Sequence, residues 1–161
     1  MDMAFKAEIE EGRKISDLTV ALEVQKPFST LILSGLKSIE TREYPLIDCL
    51  LGSKIMLLQS SDSSHSSSLQ SMIGPETTIS GSDGGVEIIG HITISECYEY
   101  QDWEHWDRER PLHQVSRASK FEMENKGALR RYGWKISTYE AYEVSEKFTL
   151  RRAYRSLFKV S

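Results

Sequence analysis

A chain of 161 residues and 18.4 kDa has room for one domain, or for a small domain with flexible ends. At 39% hydrophobic and 27% charged residues it holds enough apolar material for one core, which excludes wholesale disorder. A mean hydropathy of -0.41, with no apolar run near ~20 residues, excludes a membrane-spanning helix, and the net charge is -4.

That charge is unevenly spread. Residues 126–161 carry nine Lys/Arg against three Glu, or +6, and the rest of the chain is -10. A basic end on an acidic protein is either an electrostatic footprint for phosphate or a set of solvated strand faces balancing acidic neighbours. The acidic remainder argues against strong non-specific nucleic-acid binding, so any such binding is expected to be local and weak. Cys49 and Cys97 are too few for a disulfide framework and lack the C-x-x-C spacing of a zinc knuckle. They are read as two buried thiols in a reducing compartment. The acidic start, Met1 to Asp17, is broken by charges and contains no secretory apolar region. These features predict an intracellular protein, cytoplasmic or nuclear.

Residues 1–17 read as a polar extension with few apolar anchors. Leu18 to Val24 alternates well enough for a half-buried strand. Pro27 suits the first turn of a helix, Phe28 to Ser34 continues an apolar face, and Gly35 stands where a helix terminates at positive φ. Leu36 to Pro45 reads as extended, and Lys54 to Gln59 as a buried strand. From Ser60 to Ser68 seven of nine residues are serine, a tract with nothing to bury. It is expected to open a flexible loop over 60–85, with a helical turn near Leu69 to Ile73. Val86 to Tyr98 reads as a long strand or bent pair with a bulge at Gly90. Gln101 to Gly127 is mostly helix-like, interrupted by Pro111, and Trp134 to Tyr142 and Phe148 to Val160 read as two closing strands. Short strands in series with inserted helices predict an α+β fold built on a small mixed β-barrel.

The sharpest feature is the run from Gly35 to Arg42. If it is extended, period two puts Glu40 and Arg42 on one face, with Lys37 at the mouth of the turn. Such a group can hold phosphate or base edges, Glu40 accepting from an exocyclic amine. It can instead perform chemistry, with Lys37 as base or nucleophile and Glu40 as proton carrier. A plain ion pair between Glu40 and Arg42 is the third reading.

Leu22, Gln25, Pro27, Gly35, Lys37, Glu40 and Arg42 together resemble the signature of the ASCH domain, whose core is G-x-K-x-x-E-x-R. The resemblance continues through Gly52-Ser53-Lys54-Ile55, Val86 to Gly90 and Trp134, and covers about residues 18–160. It implies a PUA-like pseudobarrel with Gly35–Arg42 lining a cleft between helix and barrel. It further implies nucleic-acid recognition, most often of RNA, while some small relatives hydrolyse N4-acetylcytidine with lysine, threonine and glutamate. Carried over, the catalytic lysine falls on Lys37 and the threonine falls on Glu40, a departure. Glu104, Glu109, Glu122 and Glu124 are candidates for the second carboxylate, with no motif to choose among them.

Elsewhere, Arg130-Arg131 and Arg151-Arg152 are candidate phosphate contacts, or dyads with one residue facing in and one out. Tyr98, Tyr100, Trp103 and Trp106 are either a stacking platform for bases or core, and Trp134 is read as core. The four histidines show no metal-ligand spacing, so no metal and no cofactor are expected. The sequence therefore predicts one PUA-like domain that binds RNA or another nucleic acid through Lys37, Glu40, Arg42 and the basic C-terminal strand, without a membrane partner. A small hydrolase acting on a modified nucleoside or on RNA, and an interaction scaffold, are the alternatives.

Overall fold

The computed structural model of the protein describes residues 19–60, 77–79, 86–123, 130–143 and 148–160. The expected N-terminal extension, the serine tract beyond Ser60, the turn near Leu69 and Glu124 lie outside them.

Strand β1 (Thr19–Gln25) leads into helix α1 (Phe28–Leu33), followed by β2 (Ile39–Arg42), a 3-10 turn (Asp48–Leu50) and β3 (Lys54–Ser60). Next come β4 (Thr77–Ile79), β5 (Val86–Glu99), and the short helices α2 (Trp103–Arg108) and α3 (Arg110–His113). The chain closes with β6 (Tyr132–Ala141), β7 (Phe148–Tyr154) and β8 (Leu157–Val160). The strands form one mixed sheet in the order β2-β6-β5-β3-β1-β8-β7-β4, curled into a half-barrel. Only the β1–β3 pair is parallel, with Leu22 opposite Leu57; the remaining pairs are antiparallel.

Period two explains why β1 is apolar almost throughout. Val20, Leu22 and Val24 face the main core with Ile55, Leu57, Ile92, Ile94 and Trp134. Ala21 faces a second cluster with Leu58, Val86, Ile88, Leu150 and Phe158. A central strand covered on both sides reads as a near-continuous hydrophobic run. Each fully buried large side chain of this kind stabilises the fold by about 1.5–3 kcal/mol.

Several expected elements are corrected. Pro27 is the N-cap of α1 and not a first-turn residue. Of the stretch Leu36 to Pro45 only Ile39–Arg42 is strand. The segment after Gln101 holds two helices of six and four residues and then turns, because Glu109 and Pro111 restart the chain instead of continuing one helix. Phe148 to Val160 is a hairpin: β7 and β8 are joined by Arg155-Ser156, and Tyr154 lies opposite Leu157. A three-residue strand, β4, lies inside the stretch read as loop. The bulge expected at Gly90 is present as a register shift beside it: Leu57 pairs with Gly90, whereas Leu58 pairs with Ile88.

Candidate functional site

Gly35, at φ +80, ends α1 in the left-handed conformation that glycine adopts without steric penalty. The chain then turns into Lys37, whose N–H bonds Leu31 O at 3.0 Å, and Ser38 N–H bonds Leu112 O at 3.0 Å. Strand β2 follows on β6, with Glu40 opposite Trp134 and Arg42 opposite Tyr132. Two residues apart on one strand, Glu40 and Arg42 share a face, as their spacing predicts. That face looks into a cavity of about 670 Å3.

Lys37 lies at the buried floor of the cavity, not at its mouth. Its side chain is 1% exposed, and Nζ donates to the main-chain carbonyl of His113 and lies 5.0 Å from the centroid of the Phe28 ring. Burial drives its pKa from 10.5 down to about 8; Glu40 opposes the shift and Arg42 adds to it. The carbonyl is held by His113 itself. Its Nδ1 accepts from Val115 N–H at 3.0 Å, which leaves Nε2–H to donate to Trp106 O at 3.0 Å. That pairing requires a neutral ring, and burial pushes the His113 pKa down to about 4.

Glu40 Oε1 accepts from Thr41 N–H at 2.9 Å and lies 3.9 Å from Arg42 Nε, while Oε2 has no partner. Arg42 reaches from β2 to β1 and to the β7–β8 turn. Nη1 donates to Ser156 Oγ at 2.8 Å and Nη2 to the main-chain oxygen of Glu23 at 2.6 Å. Burial opposes the Arg42 charge, but Glu40, Tyr44 and Glu23 outweigh it and raise its pKa. The ion pair expected between Glu40 and Arg42 exists, but it is one link in a larger network. Tyr44 bonds Ser156 through its hydroxyl and packs edge-on against Trp134, with centroids 5.5 Å apart. Phe28, Val115 and Phe121 supply the apolar wall.

No protein-family model and no curated protein matches this chain. Among solved structures it is similar to ASCH from Zymomonas mobilis, at a TM-score of 0.54 and 12% identity over 80% of this chain and 73% of that one. Two single-substitution mutants of that protein align with TM-scores of 0.54 and 0.51, again at 12% identity. The fold is that of an ASCH domain. Identity this low carries the architecture of the ASCH fold and nothing about ligand or activity.

On this ASCH fold the Arg130-Arg131 dyad, just ahead of β6, separates into one outward and one inward side chain. Arg131 is 7% exposed and lines the cavity, whereas Arg130 is exposed and pairs with Glu99 at 3.6 Å. Arg151 and Arg152 belong to β7, opposite Lys159 and Phe158, and their side chains lie outside the described residues. Of the candidate second carboxylates, Glu109 accepts from the hydroxyls of Tyr98 and Tyr100, and Glu122 is tied to Trp106 and Arg110. The carboxylates that do line the cavity with Glu40 are Glu23 and Glu43, which sequence reasoning missed. The aromatic cluster is core: Tyr100 and Trp106 are buried with Val115 and Met123, and Trp134 is fully buried in the main core. Cys49 and Cys97, expected as buried thiols, are only half-buried, and Cys97 Sγ accepts from Leu46 N–H.

Phe28, Tyr44, Phe121, Arg155 and Ser156 also line the cavity and were missed. They come from four separate segments, and no local pattern marks them as neighbours of Lys37.

Proposed function

We propose that this chain is a nucleic-acid-binding module, with RNA the favoured ligand, that takes a nucleotide into the cavity floored by Lys37, Glu40 and Arg42. One observation carries the reading. Among the described residues, three buried side-chain polar atoms lack a hydrogen-bond partner: Glu40 Oε2, Arg42 Nε and Arg131 Nε. All three residues line the same cavity. Buried polar atoms are nearly always satisfied, and each orphan costs about 1–3 kcal/mol. The Glu40 acceptor and the Arg42 donor beside an aromatic wall complement a heterocycle that offers an amine together with an acceptor atom, and Arg131 Nε is left for a further acceptor on the same ligand.

Binding of a short single-stranded RNA, followed by fluorescence anisotropy, tests this. Affinity should fall with added salt, and Lys37→Ala or Arg42→Ala should each weaken it by about tenfold or more. Affinity unchanged by both substitutions removes the cavity from the function.

A second reading has a specific observation behind it. An amine brought down to about 8 beside a carboxylate is suited to proton transfer or nucleophilic attack near neutral pH. On that reading the chain is a small hydrolase acting on a modified nucleoside. Turnover of N4-acetylcytidine should then be abolished by Lys37→Ala with the fold retained. Wild-type product no greater than in that variant ends the reading for this substrate.

A further inference from the structure

Besides Lys37, Glu40 and Arg42, two more arginines line the cavity, the buried Arg131 and the exposed Arg155. Arg155 is exposed, and its guanidinium lies 5.0 Å from the centroid of the Tyr44 ring. Arg131 is 7% exposed, with Nη1 3.2 Å from Glu43 Oε1 and Nε without a partner. Glu43 and Tyr44 are consecutive, and both arginines line the same cavity.

The backbone at Arg155 points the same way. Its φ is +50, in a two-residue link where glycine is the default at positive φ. A glycine would make the turn with less strain, and strain retained at the rim of a cavity is characteristic of functional positions. The adjoining Ser156 accepts from Arg42, which ties this turn directly to the floor. Four cationic residues (Lys37, Arg42, Arg131, Arg155) and three carboxylates line the cavity, a net +1 suited to a single phosphate anion.

We infer that Arg155 and Arg131 form a phosphate subsite of the cavity, for the phosphate of a nucleotide whose base lies over Lys37 and Glu40. The inference rests on the nucleotide reading above. It adds a recognition element which that reading does not require. The planar guanidinium fork suits phosphate oxygens, and two of them account for a preference of at least about tenfold for a nucleotide over its nucleoside.

Calorimetric titration of wild type and Arg155→Gly tests it, with cytidine, adenosine, their 5′- and 3′-monophosphates, and a short mixed-sequence single-stranded RNA. In the wild type at least one monophosphate should bind about tenfold or more tighter than its nucleoside. Arg155→Gly should cut that preference to within about twofold, losing more affinity for the nucleotide than for the nucleoside. If the phosphate belongs to a strand, the same variant should also flatten the salt dependence of RNA binding by about 0.7 in log–log slope. A loss confined to the monophosphates would assign the subsite to a free nucleotide. A preference that survives in Arg155→Gly, or a parallel loss for nucleoside and nucleotide, overturns the subsite. Wild-type nucleoside binding with no gain from phosphate overturns the subsite alone. Absence of binding to every one of these ligands overturns the nucleotide reading and the subsite with it.

Discussion

Burial works against the charge on Lys37 while Glu40 works for it, and burial wins by enough to bring the amine from 10.5 to about 8. Between those values the unfolded chain holds a proton that the folded chain has released, so stability rises with pH from about 8 to about 10.5. Below that window both states are protonated and the full cost of the buried ammonium is present, about 3 kcal/mol at 1.36 kcal/mol per pKa unit. Lys37→Met keeps the length but removes the titrating amine, leaving the His113 carbonyl without its donor and Glu40 without its cation, so it should lack this pH dependence. The gap between the two proteins should therefore shift in favour of the wild type, by up to about 3 kcal/mol, as pH rises through 8 to 10.5. Urea unfolding of both proteins across that range measures it, and a gap independent of pH would mean that the amine is not a buried titrating group. The order of Gly35, Lys37, Glu40 and Arg42 was legible in the sequence, because a glycine stop and period two are local. The depth of Lys37 was not: Phe28 precedes it by nine residues, and the carbonyl that holds it belongs to His113.

Among the elements, two glycines show how differently a missing Cβ matters. At Gly35 a Cβ would stand 2.5 Å from the hydroxyl of Tyr139, the end of an exposed side chain that can swing away. The φ of +80 then sets the cost of Gly35→Ala, about 1–2 kcal/mol. At Gly90 a Cβ would stand 2.2 Å from the main-chain oxygen of Glu140 in the paired strand, and 3.1 Å from Leu33. No rotamer relieves that contact. Gly90→Ala should separate β5 from β6 locally and cost more than Gly35→Ala, on the order of 3 kcal/mol or more. Thermal melts of the two variants side by side decide the order, and equal midpoints would refute it. Gly90 was readable as a bulge because a glycine interrupts an apolar strand. The β7–β8 turn was not, since Tyr154-Arg155-Ser156-Leu157 contains none of Gly, Pro, Asn or Asp.

For the molecule as a whole, the sheet order leaves β2 at one edge, and Arg42 spans from it to Ser156 and to β1. The C-terminal strand β8 pairs with β1 in the centre of the sheet and buries Leu157 and Phe158. Removal of residues 155–161 takes away that strand, the second cluster's largest side chain and the anchor of Arg42 together. The truncated chain should lose its cooperative thermal transition by circular dichroism. Ser156→Ala keeps the strand and leaves one Arg42 nitrogen without its acceptor, so it should still melt cooperatively, at a cost of about 1–3 kcal/mol. A truncated chain that melts like the wild type would mean that β8 is dispensable to the core.

Local pattern by itself determined that this chain builds strands with inserted helices. It also determined that α1 stops at Gly35 and that Glu40 and Arg42 face the same way, because those properties depend on φ preferences and side-chain alternation over a few residues. The ASCH-type architecture was visible through the same short motif. Only the tertiary structure decided that Arg131 turns inward while Arg130 turns out, that Glu109 and Glu122 serve the packing around Tyr98, Tyr100 and Trp106, and that Glu23, Glu43, Tyr44 and Arg155 meet at the cavity. The reason is physical: burial, charge balance and unpaired hydrogen-bonding atoms are properties of what surrounds a residue. In a curled sheet those surroundings are brought together by strand order and not by distance along the chain.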